Sequence, residues 1–186
     1  MTIPTLSDAV PVMSVFGWTM IQQHIGYTFD WHLSWNEYKA GFGSTDADFW
    51  FGLEKVHLLT SSQPYRLRVE VQERSTNLWY SAEYWSFKIG DELNDKYRLE
   101  VAGYSGDAGD PLQNYHNGMK FTTRDNDNDL ITSGNCAING GGINRSGGWW
   151  YKSCMLACLT CKPVKFEWRT LQYGLIAKSR MMVKPQ

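Results

Sequence analysis

The sequence predicts an α+β domain with a central antiparallel sheet, short helices and one long loop-rich region. Three observations point to it. Tyr65-Arg-Leu-Arg-Val-Glu-Val71 alternates apolar and polar residues, the pattern of a half-buried strand. Helix signals are present but brief, and each is closed by glycine or a polar run within about three turns. From Ser105 to Gly148 the sequence is dense in Gly, Asp and Asn. So long an irregular stretch in a compact domain calls for a function, a metal or a disulfide to hold it.

Taken in order, Val12 to Gln23 reads as a strand with a polar end. Ser34-Trp-Asn-Glu-Tyr-Lys-Ala40 is a short helix: Ser34 supplies the N-cap, Glu37 completes a capping box, and Gly41 ends it. Asp48 to Leu59 reads as a second helix, with Phe49 or Trp50, Leu53, Val56 and Leu59 inward. Trp79 to Ile89 and Tyr97 to Tyr104 read as strands, the latter by alternation of Tyr97, Leu99 and Val101. Phe166 to Val183 returns to extended structure.

The 186 residues suit one domain, and 42% apolar with 20% charged residues is an ordinary globular balance. Aromatics reach 15%, with nine Trp and ten Tyr; such rings serve both packing and binding surfaces. With a net charge of −1 and no basic stripe, nothing is set to grip a phosphate backbone, so nucleic acid is not an expected partner. No apolar run approaches the roughly 20 residues of a membrane span. The segment from Met1 to Val10 lacks the charged and apolar regions of a signal peptide. That alone points to the cytoplasm, or to a true N-terminus missing from this sequence.

Arg124-Asp-Asn-Asp-Asn-Asp129 sets three carboxylates at alternate positions. Crowded like charges need a counter-charge, and calcium draws six to eight oxygens from carboxylates, carbonyls and water. A solvated Asx turn explains the same residues. An EF-hand does not: counted from Asp125, its glycine position holds Leu130 and its final glutamate position holds Cys136.

All four cysteines fall late, at Cys136, Cys154, Cys158 and Cys161. Among Gly and Asn, an even number favours local disulfides. Cys136 with Cys154 would close a loop worth about 3 kcal/mol in the chain-entropy model, and Cys158 with Cys161 is a candidate second pair. The Cys154-x3-Cys158-x2-Cys161 spacing also matches an iron–sulfur motif, and zinc is a further alternative with His116 as the nearest histidine in sequence. No Ser/His/Asp or paired-carboxylate constellation stands out, so no catalytic group is expected. His57 reads as a packed helix residue, and His116 as a turn residue supporting the Asp-rich loop. Trp149-Trp150-Tyr151 offers either a stacking platform or core packing.

Longer strings carry a resemblance. Trp18-Thr-Met-Ile-Gln-Gln, Trp35-Asn-Glu-Tyr-Lys-Ala-Gly-Phe-Gly43, and Asp48-Phe-Trp-Phe-Gly-Leu-Glu-Lys-Val-His-Leu-Leu-Thr60 are three of them. Tyr104-Ser-Gly-Asp-Ala-Gly-Asp110, His116-Asn-Gly-Met-Lys-Phe-Thr-Thr123, Gly147-Gly-Trp-Trp-Tyr151 and the closing Met181 to Pro185 follow. Together they resemble the fibrinogen C-terminal domain family, which includes ficolin-, tachylectin-, angiopoietin- and tenascin-like members. The match spans residues 12–185; residues 1–11 then form a divergent segment. The family's own N-terminal part, with its disulfide, has no counterpart here.

The resemblance implies a secreted, extracellular, non-enzymatic recognition domain of innate-immune, lectin-like type, binding glycans, acetylated ligands or proteins. It implies calcium held by Asp125 and Asp127 with carbonyls near Asp129 and Ile131, a Cys136–Cys154 disulfide, and a cis peptide at Ser153–Cys154. Oligomerisation would run through regions outside this sequence. Two alternatives are a protein-interaction or signalling ligand domain without sugar binding, of the angiopoietin or tenascin kind, and a divergent paralogue without its pocket. The segment between Cys154 and Trp168 is shorter than the family's and carries Cys158 and Cys161 instead. On the matching positions the ligand pocket falls to Cys154, Met155 and Leu171, which lack the stacking rings and the imidazole of ficolin-like sites.

Overall fold

A computed structural model describes residues 14–15, 17–26, 28–139, 147–162, 166–171 and 174–186. Residues 1–11, expected to be a divergent N-terminal segment, lie outside the described set, as do Val12, Met13 and Phe16 of the first expected strand.

The elements run β1 (Ser14–Val15), β2 (Trp18–His24), α1 (Trp35–Ala40), β3 (Phe42–Gly43), β4 (Phe49–Trp50), α2 (Leu53–Ser62), β5 (Tyr65–Glu73), β6 (Trp79–Ile89), α3 (Glu92–Asp95), β7 (Leu99–Gly106), one π-helical turn (Leu112–His116), α4 (Cys136–Asn139), β8 (Ala157–Cys158), β9 (Glu167–Trp168) and β10 (Ile176–Pro185). The main sheet is antiparallel throughout, in the order β3-β4-β2-β10-β5-β6-β7, with β1 beside β2. β8 and β9 form a separate two-stranded sheet in the loop-rich half.

The alternation in β5 fixes its faces. Leu67, Val69 and Val71 are fully buried, while Arg66, Arg68, Glu70 and Gln72 face outward. β6 turns Ala82, Tyr84, Phe87 and Ile89 inward, its alternation skipping one residue between Tyr84 and Phe87 where the β5–β6 register shifts. A shift of one residue would exchange these sets, so the pattern specifies the register. Trp31, Trp35, Tyr38 and Trp50 continue this core from the α1 side.

Three boundaries depart from the sequence reading. The helix expected over 48–59 starts only at Leu53, because Phe49 and Trp50 pair with β2 and β3. Gly52 explains the break: its φ is +109°, and a Cβ there would sit 2.8 Å from the Ala40 carbonyl. β7 starts at Leu99 rather than Tyr97, because Lys96 and Tyr97 are left-handed, with φ of 50° and 53°. The expected strand over 12–23 is realised as β2, with β1 folded back on it. By contrast α1 forms as read, with both halves of the Ser34/Glu37 capping box in place.

Candidate functional site

The loop-rich half hangs on local cross-links. Thr122 pairs with Trp149, and Leu130 N donates to Lys152 O at 3.0 Å. Asn128 N donates to Thr122 Oγ1, and its side-chain amide donates to Phe121 O. These bonds tie the Asp-rich loop flat against the segment carrying Trp149, Trp150 and Tyr151.

The three aspartates separate into two environments. Asp125 turns to α1: its Oδ1 accepts from Trp35 N and from the Thr123 hydroxyl, both at 2.8 Å. Trp35 N is one of the orphan amides at a helix start, so Asp125 works there as a second cap. Burial pushes its carboxyl upward, but the Thr123 hydroxyl and the Trp35 amide together hold it below the ordinary value. Asp127 and Asp129 form a pair. Asp127 Oδ1 accepts from Asp129 N at 3.2 Å, while Asp129 accepts from Ile131 N and Cys136 N, each at 2.7 Å. Burial, with the facing Asp127 charge, pushes the Asp129 carboxyl upward against those two amides. Among the described residues neither carboxylate has an ion-pair partner. Nor do three His, Cys, Asp or Glu side groups meet at one metal position among them. A cation here would draw on this pair, backbone carbonyls and water, a donor set suited to calcium.

All four cysteines are paired, Cys136 with Cys154 and Cys158 with Cys161. That removes the iron–sulfur and zinc alternatives, since a ligating sulfur must be a thiolate. The expected cis peptide at Ser153–Cys154 is corrected: the bond is trans, and the backbone reverses instead through a left-handed Cys154 with φ of 58°. Lys152 N then donates to Cys154 O at 3.0 Å.

Cys154, Met155 and Leu171 lie at the edge of the β8–β9 pair, where Arg169 N donates to Leu156 O. All three are nearly buried, and Met155 Sδ sits 3.8 Å from Cys161 Sγ. Three cavities lie elsewhere, one at Gly41–Thr45 and Phe49–Phe51, one between Ile25, Gly26, Thr28 and Phe29 and the Gly43 and Asp48 side, and one on the outer sheet face. Trp149, Trp150 and Tyr151 are core residues rather than a platform. Trp150 Nε1 donates to Tyr97 O at 2.7 Å, and the Tyr151 hydroxyl to Gly147 O at 2.9 Å.

His116 is buried and neutral. Its Nδ1 donates to Trp150 O at 2.7 Å, and its Nε2 accepts from Leu156 N and Ala157 N at 3.2 and 3.0 Å. Burial pulls its pKa down to about 4. It braces the segment from Trp150 to Ala157, not the Asp-rich loop as the sequence suggested. His57 is the packed residue expected, its Nδ1 3.0 Å from Ile89 O. Sequence reasoning passed over Leu159. Its carbonyl accepts from Gln22 Nε2 and His24 Nδ1 at 3.0 and 3.1 Å, fastening the Cys158–Cys161 loop to β2. No local signal announces that role, because the partners lie more than 130 residues away.

Known proteins share this architecture. The family model for fibrinogen beta and gamma chains, C-terminal globular domain, matches residues 13–186. Fibrinogen-like protein A of Apostichopus parvimensis is 46% identical over 143 residues, covering 77% of this sequence and 49% of that protein. Human fibroleukin is 38% identical over 163 residues, covering 86% and 36%. The chain thus spans about half the length, or less, of these curated relatives. The fibrinogen-like globe domain of human ANGPTL2 superposes with a TM-score of 0.81 at 34% identity, covering 91% of this molecule and 80% of that one. Lamprey fibrin D-dimer, solved with the peptide ligand Gly-His-Arg-Pro-amide, gives 0.80 at 29% identity, covering 90% and 61%.

Proposed function

The chain belongs to the fibrinogen C-terminal domain family, and from that premise we propose that it is an extracellular, non-enzymatic recognition domain binding a protein or peptide through its loop-rich half, which calcium braces. The observation carrying this reading is the inward turn of Trp149, Trp150 and Tyr151 together with the burial of Cys154, Met155 and Leu171. A sugar ring needs an exposed aromatic face to stack on, and Trp149, Trp150 and Tyr151 turn theirs inward. A peptide needs exposed backbone groups and a fixed frame, which the two disulfides and the His116 bridges supply. The peptide solved with lamprey fibrin supports the same choice.

In this reading Asp127 and Asp129 hold the calcium, with carbonyls at and after Ile131, while Asp125 caps α1. The ion would neutralise two facing carboxylates and so fix the loop's shape; no bond is made or broken by it. Two measurements test the proposal. The first is calorimetric melting with calcium and with chelator. Saturating calcium, at about 100 times its Kd, should stabilise by about 2.7 kcal/mol. D127N and D129N should abolish the shift, and D125N should keep it on a less stable protein. The second is titration with Gly-His-Arg-Pro-amide and a random-peptide library against free N-acetylglucosamine, with and without chelator. Calcium-dependent peptide binding is the expected result. Binding of the acetylated sugar alone at this end, or a melt indifferent to calcium, would sink the respective half of the proposal.

A further inference from the structure

The face of the sheet turned away from the core carries a second constellation. Outward residues of β6, β5 and β10 meet there with the start of the loop after β7. They enclose a cleft of about 380 Å³ lined by Arg68, Glu70, Trp79, Ser81, Asp107 and Arg180, with Tyr80 at its side. Trp79 is 47% exposed, unusual for an indole on a strand, and the Arg180 guanidinium lies 5.7 Å from its ring centroid. Register explains the convergence: Gln72 faces Trp79, and Glu70 faces both Ser81 and Arg180.

The arginine charges of the cleft are satisfied by Glu70 and Glu83, while Asp107 has no ion-pair partner among the described residues. Arg68 Nε donates to Glu70 at 2.7 Å, its Nη1 to Glu83, and Arg180 Nε to the other Glu70 oxygen. Asp107 Oδ1 accepts from Ser81 N at 2.7 Å. What remains open among the described residues is a mixed set: both terminal nitrogens of Arg180, one of Arg68, Asp107 Oδ2, and the Ser81 hydroxyl. Two guanidiniums against Glu70, Glu83 and Asp107 leave no positive excess, so an anion has nothing to gain there, and Asp107 repels it. A ligand for this cleft must donate and accept hydrogen bonds on one edge, carry no negative charge, and present an apolar face to an indole. A pyranose ring does all three: its C–H face stacks on the aromatic plane while vicinal hydroxyls bridge arginine donors and a carboxylate acceptor.

We propose that this outer-face cleft is a binding site for a neutral saccharide residue, with Trp79 as stacking platform and Arg180 and Asp107 as the hydroxyl-reading pair. It is independent of the peptide reading of the loop-rich half, because it shares no residue with the Asp127–Asp129 pair and uses no metal.

The test is saturation-transfer NMR and calorimetric titration of the full-length protein with neutral glucose, galactose, mannose and N-acetylglucosamine oligosaccharides, beside sialylated and sulfated ones. Each is run in calcium and in chelator. We expect at least one neutral sugar to bind equally in both conditions. W79A should weaken it about tenfold or more, as for an aromatic anchor, while W79F retains most of the affinity. D107N and R180Q should each weaken it without changing the melting temperature by more than a few degrees. Trp79 and Asp107 are exposed, so these variants are expected to fold, and circular dichroism checks that they do. No binding of any neutral sugar, affinity unchanged in W79A, or preference for the sulfated sugars would overturn the proposal. Sugar binding lost in chelator but kept in W79A would also overturn it, and would place the sugar at the Asp-rich loop.

Discussion

At the scale of single residues, His116 concentrates the most consequence. It satisfies one carbonyl and two amides of a buried segment from a single ring. His116→Phe would keep much of the volume but strand all three groups, and leaving even one buried polar group unpaired costs about 1–3 kcal/mol. A loss of about 3 kcal/mol or more in urea unfolding at pH 7.5 is therefore expected. The same ring sets a pH dependence. Its folded pKa is about 4 against an ordinary 6.5, so the unfolded state takes up the proton first as pH falls. The stabilisation is whole above pH 6.5 and is lost as pH drops toward 4, by roughly 3 kcal/mol in all. Unfolding free energy measured from pH 7.5 to 4.5 should fall in the wild type and be flatter in the Phe variant. None of this was legible beforehand. The sequence marks His116 as a histidine in a turn, but its three partners lie 34 to 41 residues on, and only folding brings them together. The division of the aspartates was hidden for the same reason: three identical residues at alternate positions differ only in what faces them.

At the scale of elements, what was legible is what is decided locally. Ser34 and Glu37 stand three apart and close their capping box without help from the rest of the molecule, which is why α1 formed where it was read. Ser34→Ala should cost about 1 kcal/mol in the same assay, the usual worth of such a cap. The alternation in β5 was equally clear, because a strand with one buried face writes its period into the sequence. The helix read over 48–59 failed at its first turn, where the apolar spacing of Phe49 and Trp50 suits a helix and a short strand alike, and a glycine with positive φ chose the strand. The Cys158–Cys161 loop is an element of another kind. Through the Leu159 carbonyl it pins the loop-rich half to Gln22 and His24 of β2, and Thr160 Oγ1 donates to Gly148 O at 2.5 Å. In the chain-entropy model so short a loop contributes about 2 kcal/mol, less than the roughly 3 kcal/mol of the Cys136–Cys154 loop. Its larger role is positional. A C158A/C161A double variant should show faster amide exchange at Gly147 to Tyr151 and at His24 than in β5 and β6. Uniform protection throughout the protein would contradict the pinning.

At the scale of the whole molecule, the order of the strands decides how the domain holds together. β10, the last strand, lies in the middle of the sheet between β2 and β5, pairing Met182 with Met20 and Val183 with Leu67. Met181 and Val183 are fully buried, and Ser179 exchanges hydrogen bonds with Gln22 at 3.1 and 3.3 Å. The sequence showed an extended C-terminal stretch but not where it would go, since strand order depends on pairings between opposite ends of the molecule that leave no periodic trace. The consequence is physical as well as topological. Without β10 the sheet falls into two ribbons, β3-β4-β2 and β5-β6-β7, each with an open edge facing a gap where the central strand had been. Closing a contact across more than 150 residues costs loop entropy before any burial offsets it, so β10 should join late and folding should be slow for the domain's size. A variant ending at Leu175 should therefore have no cooperative urea transition and should lose its near-ultraviolet circular dichroism, even though the segment removed is under a tenth of the molecule. If that variant kept a sigmoidal transition with native aromatic signal, the two ribbons would be stable on their own, and the sheet would not depend on its last strand.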